Sequence, residues 1–260
     1  MTFKTLFLEI RNNIATIILN RPDSLNAMNL ELSRELLEAV LSCGENKNIR
    51  VVVITGTGNA FSAGGDVRAF KENLPNIAVY LKHQTTYLHK AISNIARMPK
   101  AVIAAVNGVA AGGGFSLALA CDLTIATESA RFVTAYSHIA LTPDLSCTYF
   151  LPRLVGNKKA LEMLYTNASI TSKEALELGI VNFVVPDSDF QKAVGDLVAN
   201  LAERPAFALA NTKKLCRMSW SASLETQMEN ETEIIGKSGQ TEDFAEGITA
   251  FLEKRKPKFK

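Results

Sequence analysis

The sequence lacks an excess of charge of either sign, and it lacks a long hydrophobic run. The 28 lysines and arginines nearly balance the 26 aspartates and glutamates, so the formal net charge is +2. Nucleic-acid binding usually requires a strongly basic surface, and a membrane-spanning helix needs about 20 consecutive apolar residues. We therefore expect neither a nucleic-acid partner nor a membrane span. The first residues, MTFKTLFLEIRNN, also lack the apolar core of a secretory signal, which predicts a cytoplasmic protein.

Cysteine and histidine are scarce, and their spacing does not match the common metal-binding motifs. The sequence has no CxxC pair and no two histidines at the spacing of a helical metal site. We therefore predict free thiols, histidines with structural or surface roles, and no bound metal. The seven residues are Cys43, Cys121, Cys147, Cys216, His83, His89 and His138.

The order of the apolar patterns predicts an α/β fold in which a strand, strand, helix unit is repeated. Alternating residues in FLEIRNNIATIILNRP predict a hairpin, and the apolar spacing of MNLELSRELLEAVLSC predicts a helix. The apolar runs VVVIT and AVIAAV predict buried strands. Thr171 and Glu174 have the spacing of a capping box, and Gly179 is a helix-stop signal. From Asp187 onward the pattern predicts about four helices.

A glycine-containing turn follows each of the two apolar strands. VVVIT leads into GTGNAFSAGGDV, and AVIAAV leads into NGVAAGGGF. Neither turn has the GxGxxG order of a dinucleotide site, and the GK[ST] signature of a phosphate loop is missing. A helix that begins at Gly113 would present unpaired N–H groups to a negative oxygen, as an oxyanion hole does. Close packing of that helix on a strand explains the glycines equally well.

Six longer segments carry a resemblance to a known family. They are LNRPDSLNAMN at 19–29, VVVITGTGNAFSAGGDV at 51–67, KAVIAAVNGVAAGGGFSLALACD at 100–122, ARFVTAYSHIALTPD at 130–144, LPRLVG at 151–156 and AFLEKRKPKF at 250–259. Together they resemble the enoyl-CoA hydratase/isomerase (crotonase) family over essentially the whole chain.

The resemblance implies an α/β, crotonase-type spiral of repeated β-β-α units over residues 1–190. A helical C-terminal region over residues 191–260 would mediate assembly into a homotrimer or a dimer of trimers. The resemblance also implies an acyl-CoA substrate and no separate cofactor, because coenzyme A is part of the substrate. The oxyanion hole would consist of the backbone N–H groups of Gly65 and Gly113, and each such donor is typically worth about 3 to 4 kcal/mol.

The resemblance also places the coenzyme A moiety on this sequence. It would lie along Leu25 and Ala27, while Ala63, Asp66 and Val67 would line the approach to the hole. Asp66 can also cap the helix that follows it, VRAFKEN, and we expect capping to be its main role.

The basic C-terminal tail resembles the segment that contacts coenzyme A phosphates in relatives, on the same or a neighbouring subunit. Phe251 and Lys254 would make these contacts, and a solvated helix end is the alternative interpretation. The other substrate contacts that the resemblance implies are Ala111, Gly112, Gly113 and Tyr136.

This sequence departs from the hydratase pattern at both catalytic glutamates. Ser116 and Tyr136 stand at those two positions. A serine without a partner is a poor base, and a tyrosine, with an ordinary pKa of about 10, is a better hydrogen-bond donor than base. Hydration by two glutamates is therefore not expected.

The carboxylate that remains is Asp144, which aligns with a catalytic aspartate of phenylacetate-pathway-type isomerases and of some dehalogenases. One carboxylate can remove a proton beside the thioester carbonyl and return it two carbons away, which moves a double bond. Apolar neighbours such as Leu141 and Leu145 would raise the pKa of Asp144 by desolvation. A helix N-cap is the alternative role for this residue.

The sequence therefore predicts an enoyl-CoA isomerase in which Gly65 and Gly113 stabilise an enolate and Asp144 carries the proton. An enoyl-CoA hydratase, with water positioned by Asp144, is the first alternative. A non-catalytic acyl-CoA-binding member of the family is the second. The acyl group itself is not predicted.

Overall fold

The chain begins with the predicted hairpin. The computed structural model describes residues 2–260, and its first two strands pair antiparallel in register from Leu6 opposite Leu19 to Arg11 opposite Ile14. Asn12 and Asn13 make the turn with φ angles of 48° and 64°. Asparagine tolerates this left-handed region better than most residues do, so the turn residues suit the tight connection.

Two sheets alternate along the chain. A six-stranded sheet has the order β1-β2-β3-β5-β7-β10, and a four-stranded sheet has the order β4-β6-β8-β9. In the central repeats the first strand of each pair joins the large sheet and the second joins the small one, and a helix follows most pairs. The predicted repetition of a β-β-α unit is confirmed. The strands are β1 (Leu6–Arg11), β2 (Ile14–Leu19), β3 (Val51–Gly56), β4 (Ala60–Ser62), β5 (Ala101–Val106), β6 (Val109–Ala111), β7 (Leu123–Thr127), β8 (Arg131–Val133), β9 (Ile170–Thr171) and β10 (Phe183–Val185).

Helices cover the sheets and form the C-terminal region. The capping box predicted at the start of the seventh helix is present, with both the Thr171 and Glu174 side chains hydrogen-bonded across it. Four helices follow β10, as predicted. The helices are α1 (Leu30–Glu45), α2 (Val67–Glu72), α3 (Ile77–Arg97), α4 (Gly113–Ala120), α5 (Cys147–Val155), α6 (Asn157–Thr166), α7 (Ser172–Glu177), α8 (Phe190–Ala202), α9 (Ala206–Met218), α10 (Leu224–Ser238) and α11 (Glu242–Leu252).

The central parallel strands are buried on both faces, which explains why VVVIT and AVIAAV are continuously apolar. Val52 and Ile54 point into the main core, whereas Val51 and Val53 face a second cluster that includes Phe190 of α8. Successive residues of a strand point to opposite faces, so a strand covered on both sides needs apolar residues at every position. This rigid sheet fixes the turns at the ends of β3 and β5.

The C-terminal helices are joined to the core by a half-buried ion pair. Lys213 of α9 lies 2.6 Å from the Asp122 carboxylate and also donates to the carbonyl oxygens of Ile95 and Lys100 at 2.8 and 3.1 Å. Asp122 in turn accepts from the Val102 amide at 2.9 Å. The pair therefore connects α9 to the loop before β7.

We expect Lys213→Met to lower the free energy of unfolding by about 2 kcal/mol, the range for a hydrogen bond to a charged group. The substitution removes the closer of two cations beside Asp122, and Arg217 at 3.5 Å still pairs with that carboxylate. Lys214→Met is the matched control, since the neighbouring lysine is exposed. Urea unfolding of both variants measures the difference. Equal losses would show that the Lys213 contacts do not hold α9 on the core.

No disulfide joins the cysteines among residues 2–260. All four cysteines are free, and Cys43, Cys121 and Cys147 are buried while Cys216 is exposed. None of the helices formed by residues 2–260 is both long and apolar enough to cross a membrane.

Candidate active site

The two glycine-containing turns meet at one place. Gly64 has a φ of 89°, and a Cβ atom added to it would lie 2.6 Å from the Ala111 oxygen and 2.9 Å from the Gly113 nitrogen. The Met28 amide donates to the Gly64 carbonyl at 2.6 Å, and the Asp66 amide donates to the Met28 carbonyl at 3.0 Å. These bonds hold the first turn on the segment that contains Met28, with Gly65 between the two bonded residues, while the close approach of Gly64 to Ala111 and Gly113 brings the two turns together.

Two backbone amides are left without partners where the turns meet. Gly112 donates to the Val133 carbonyl at 3.0 Å, and Gly64 donates to the Ser62 hydroxyl at 3.2 Å. Within residues 2–260 no acceptor bonds the amide of Gly65 or that of Gly113, and both glycines line the same cavity. Gly113 also begins α4, so the positive end of the helix dipole points the same way. The pair has the donor arrangement that an oxyanion needs.

The three consecutive glycines have three different roles. Gly112 adopts a φ of 50°, which lets the chain turn from β6 into α4. Gly113 supplies the free amide. A Cβ atom on Gly114 would overlap the carbonyl oxygen of Ser62, so this glycine allows α4 to pack closely on β4. Close packing on a strand therefore explains Gly114, and the role of the Gly113 amide as an oxyanion donor stays a prediction.

The cavity beside these amides has a volume of about 260 Å³ and mostly apolar walls. Among the side chains of residues 2–260 that line it, Asp144 is the one carboxylate. Gln84 and Tyr136 contribute further polar groups. An apolar acyl group of modest size fits such walls. The main apolar residues of the wall are Met28, Phe70, Leu81, Leu88, Ile139 and Leu141.

Asp144 is held by a hydrogen-bond chain that starts on α4. The Tyr136 hydroxyl donates to Asp144 Oδ1 at 2.8 Å and lies 2.7 Å from the Ser116 hydroxyl. The second carboxylate oxygen, Oδ2, has no hydrogen bond from another side chain or amide of residues 2–260. The residues at the two positions of the missing glutamates are thus bonded to each other and to the remaining carboxylate.

Burial alters the proton affinities in this chain. It raises the pKa of Asp144 above the ordinary value of an aspartate, and the Tyr136 hydrogen bond opposes that rise. Burial, together with the nearby Asp144 charge, also raises the pKa of Tyr136 far above its usual range. Tyr136 therefore stays protonated and acts as a donor, while Asp144 has the raised basicity that suits proton transfer.

The side chain of Asp144 does not cap a helix. The N-cap position of α5 is Ser146, and Asp144 contributes only its carbonyl oxygen, which accepts from the Cys147 amide at 3.0 Å. Leu145 and Ser146 have φ angles of 47° and 61°. Such conformations are uncommon for these residue types and occur often at active sites. The N-cap interpretation of Asp144 is therefore wrong.

His89, for which the sequence predicts a structural or surface role, supports the turn that follows Asp144. Its Nε2 atom accepts the Leu145 amide at 3.3 Å, directly after Asp144. This contact spans 56 positions along the chain, so no local pattern could reveal it. His89 on α3 stabilises the turn that carries the candidate base.

The segments expected to contact coenzyme A lie in the cavity wall or are bonded to it. Ala63 and Val67 line the cavity, and the Ala63 amide donates to the Leu25 carbonyl at 2.9 Å. Leu25 is exposed and Ala27 is buried beside it. These contacts put the predicted segments next to each other, and their binding role stays a prediction.

Asp66 is the N-cap that the sequence predicted. Its carboxylate accepts from the amides of Arg68 and Ala69 at 3.1 and 3.2 Å. The structure adds an ion pair that the sequence did not reveal, since Arg21 lies 2.8 Å from Asp66 and also donates to the Ala27 carbonyl. Arg21 thereby ties the Leu25–Ala27 segment to the start of α2.

Phe251 and Lys254 lie apart from this cavity. Phe251 is 82% exposed at the end of α11, where it borders a separate apolar cleft between the C-terminal helices. Lys254 follows it and is exposed as well. Within one chain neither residue lines the cavity, and a contact with coenzyme A stays a prediction.

Two unpaired amides, one carboxylate and apolar walls meet in a single cavity, which is the set of groups expected of an enzyme that stabilises a carbonyl oxygen as it becomes negative. Comparison with known proteins gives the particular family. The family model for enoyl-CoA hydratase/isomerase matches residues 9–260, and the chain belongs to this family of acyl-CoA enzymes.

Relatives of this chain carry different reaction names. It is 39% identical over 260 residues to a probable enoyl-CoA hydratase of Rhodobacter capsulatus, covering 100% of this chain and 99% of the relative. It is 33% identical over 254 residues to the 1,2-epoxyphenylacetyl-CoA isomerase of Escherichia coli, covering 96% of each. The crystal structure of an enoyl-CoA hydratase from Polaromonas sp. JS666 superposes with a TM-score of 0.94 at 34% identity, covering 98% of this chain and 99% of that one. The crotonase-type fold is thus confirmed, and the names do not decide between the two reactions.

Proposed function

We propose that the protein is an enoyl-CoA isomerase that moves a double bond along the acyl chain of a coenzyme A thioester. The thioester oxygen would lie between the amides of Gly65 and Gly113. Asp144 Oδ2 would take a proton from the carbon next to the carbonyl, and the electron pair of the broken C–H bond would delocalise onto the thioester oxygen. Asp144 would then return the proton two carbons away and complete the shift.

The observation that carries this proposal is that Asp144 is the single carboxylate that residues 2–260 place in the cavity wall, with Oδ1 held by the Tyr136 hydroxyl and no other residue of that range donating to Oδ2. One such group can accept and return one proton. Hydration would need a group to activate water and a group to protonate the adjacent carbon. The Ser116 and Tyr136 hydroxyls are hydrogen-bonded to each other, and Tyr136 is also bonded to Asp144. They are therefore weak candidates for the group that would protonate the adjacent carbon.

An enoyl-CoA hydratase is the second candidate, and the similarity to the Rhodobacter capsulatus protein named as one favours it. In that reaction Asp144 would position the water, with Tyr136 or Ser116 assisting. The two candidate reactions give products of different composition. Hydration adds the elements of water to the acyl group, whereas isomerisation leaves its mass unchanged.

The test is to incubate the protein separately with a 3-enoyl-CoA and a 2-enoyl-CoA in H₂¹⁸O. Conjugation of the thioester is followed by absorbance, and the products by mass. New conjugation at unchanged mass from the 3-enoyl-CoA supports isomerisation. A gain of labelled water by the 2-enoyl-CoA would replace isomerase with hydratase, and binding without turnover of either would indicate a non-catalytic member of the family.

The pH dependence of isomerisation provides a separate prediction. Asp144 must be ionised to accept a proton, so kcat should fall as the pH drops through its pKa. Because burial raises that pKa, the acid limb of the kcat profile should lie at a higher pH than the ordinary aspartate value of about 3.9. Measuring kcat across the acid range checks this. A limb at or below the ordinary value would exclude the buried carboxylate as the base.

We also infer that the C-terminal helices assemble the chain into a homotrimer or a dimer of trimers, and that the tail reaches coenzyme A across subunits. The support is apolar surface on these helices, where Phe251 and Leu252 are 82% and 74% exposed. Exposed apolar patches often mark protein interfaces. Sedimentation equilibrium gives the assembly directly, and a monomer would contradict it.

The four free cysteines fit a reducing compartment such as the cytoplasm.

A further inference from the structure

We propose that Ser116 and Tyr136 are positioning residues that hold Asp144 Oδ1 through two consecutive hydrogen bonds, so that Oδ2 alone faces the acyl group. The idea that Oδ2 does chemistry there rests on the proposed function. The hydrogen-bond chain itself can be tested without turnover.

The direction of the chain follows from the number of protons. An ionised carboxylate can only accept, so the single proton of the Tyr136 hydroxyl must point to Asp144 Oδ1. The Tyr136 oxygen is then free to accept, and the one other hydroxyl at bonding distance among residues 2–260 is that of Ser116, at 2.7 Å. Ser116 therefore donates to Tyr136, and Tyr136 donates to Asp144.

A simpler interpretation of Ser116 explains less. A serine inside a helix often bonds the carbonyl one turn back, and the Ser116 hydroxyl lies 3.2 Å from the Gly112 carbonyl. The Tyr136 oxygen is closer, and Ser116 is fully buried. A serine that bonded only its own helix would leave the buried Tyr136 oxygen with no donor.

The position of Ser116 means that the hydrogen-bond chain also links the base to the helix that carries the Gly113 amide. Ser116 lies in α4, three residues after the free amide of Gly113. The helix that supplies one donor of the hole therefore also supplies the first donor of the chain that ends at the base. The distance between the hole and the base is thus set by the backbone of α4 and by two hydrogen bonds.

The hydrogen-bond chain also limits the proton affinity of the Asp144 carboxylate. Burial raises the pKa of Asp144, and the hydrogen bond from Tyr136 lowers it. Other titratable groups near Asp144 are His89, which opposes the rise of the same pKa, Cys147 at the start of α5, and His138 in the cavity wall. None of these is changed in the variants below, so their contributions stay constant.

The experiment compares Tyr136→Phe and Ser116→Ala with the unaltered protein, using Tyr165→Phe and Ser238→Ala as matched controls. Tyr165 is an exposed tyrosine, and Ser238 is a helix serine bonded to the carbonyl four residues back. The pKa of Asp144 is measured in the ligand-free protein by NMR with ¹³C-labelled aspartate, and the Asp144→Asn spectrum assigns the signal. The kcat and KM for 3-hexenoyl-CoA are then measured as functions of pH.

In Tyr136→Phe we expect the Asp144 pKa to rise and kcat to fall about tenfold to a hundredfold, the factor for a hydrogen bond to a charged group. KM should change little, because the cavity keeps its shape. In Ser116→Ala the same shifts should be smaller, and they should vanish when Tyr136→Phe is already present, because the two bonds act in series. Incorporation of 3-fluorotyrosine, a stronger donor, should move the pKa of Asp144 the opposite way.

An Asp144 titration that is unchanged in Tyr136→Phe would overturn the proposal, whatever reaction the protein catalyses. Additive effects of the two substitutions would exclude a chain in which Ser116 acts through Tyr136. A titration that moves as expected in a protein that does not isomerise 3-hexenoyl-CoA would support the chain and count against the isomerase assignment instead. The two hypotheses therefore fail separately.

Discussion

Replacing Asp144 by asparagine should lower kcat for double-bond migration by about 10³-fold and leave the fold intact. Positioned acid–base catalysis typically contributes about 10²- to 10⁴-fold, and asparagine cannot take up the proton. The amide oxygen of asparagine can still accept the Tyr136 hydrogen bond that Oδ1 accepts now. Because the aspartate side chain does not cap α5, no helix loses its first-turn acceptor. The measurement is kcat for a 3-enoyl-CoA beside a thermal melt.

The sign of the stability effect separates a catalytic carboxylate from a structural one. Burial raises the pKa of Asp144 in the folded protein, so its charged form is less favourable there than in the unfolded chain. This carboxylate therefore opposes folding above its folded pKa and stops doing so as the pH falls below it. At neutral pH the asparagine variant should melt at the same temperature or higher.

The control for this prediction is Asp196→Asn, which changes an exposed aspartate that pairs with Lys192 on α8. It should keep full activity. Unchanged turnover in Asp144→Asn would remove this residue from the mechanism, and a large drop in melting temperature would assign it to the fold.

Most of the fold was predictable because its signals are local. Continuous apolar runs such as VVVIT predict strands buried on both faces. The structure confirms this for β3, where Val51 and Val52 pack into different apolar clusters on opposite faces of the sheet. The N-cap at Asp66 and the capping box at Thr171 depend on residues within one helical turn. Physical rules that act over a few residues can be applied to a sequence alone.

The candidate site was only partly predictable, because its contacts join distant positions. The motif resemblance placed Gly65, Gly113 and Asp144, and the structure brings all three to one cavity. The bond from Ser116 to Tyr136 crosses 20 positions and that from Leu145 to His89 crosses 56. The choice between Asp144 and Ser146 as the cap of α5 depends on the positive φ angles of Leu145 and Ser146, which no residue preference predicts.

The second large effect concerns Gly64, whose contacts place the two turns of the hole. We expect Gly64→Ala to lower the free energy of unfolding by about 2 to 5 kcal/mol. A left-handed conformation costs alanine about 1–2 kcal/mol, and forcing a methyl group into a packed site adds about 1–3 kcal/mol. The Cβ atom would lie 2.6 Å from the Ala111 oxygen and 2.9 Å from the Gly113 nitrogen, and both are backbone atoms that cannot rotate away.

The same substitution should also lower kcat by about 10²- to 10³-fold, the usual effect of losing one oxyanion donor, because the methyl group pushes the Gly113 amide out of place. Gly179→Ala is the matched control: its φ is 72°, and nothing lies within 4 Å of the added atom. This variant should lose only the free energy that alanine pays for a left-handed backbone conformation, about 1–2 kcal/mol, and it should keep full activity. Urea unfolding and kcat are measured for both variants. Equal losses of stability and kcat in the two variants would mean that the contact between the turns does not position the Gly113 amide. Backbone strain alone would then account for the effect of Gly64→Ala.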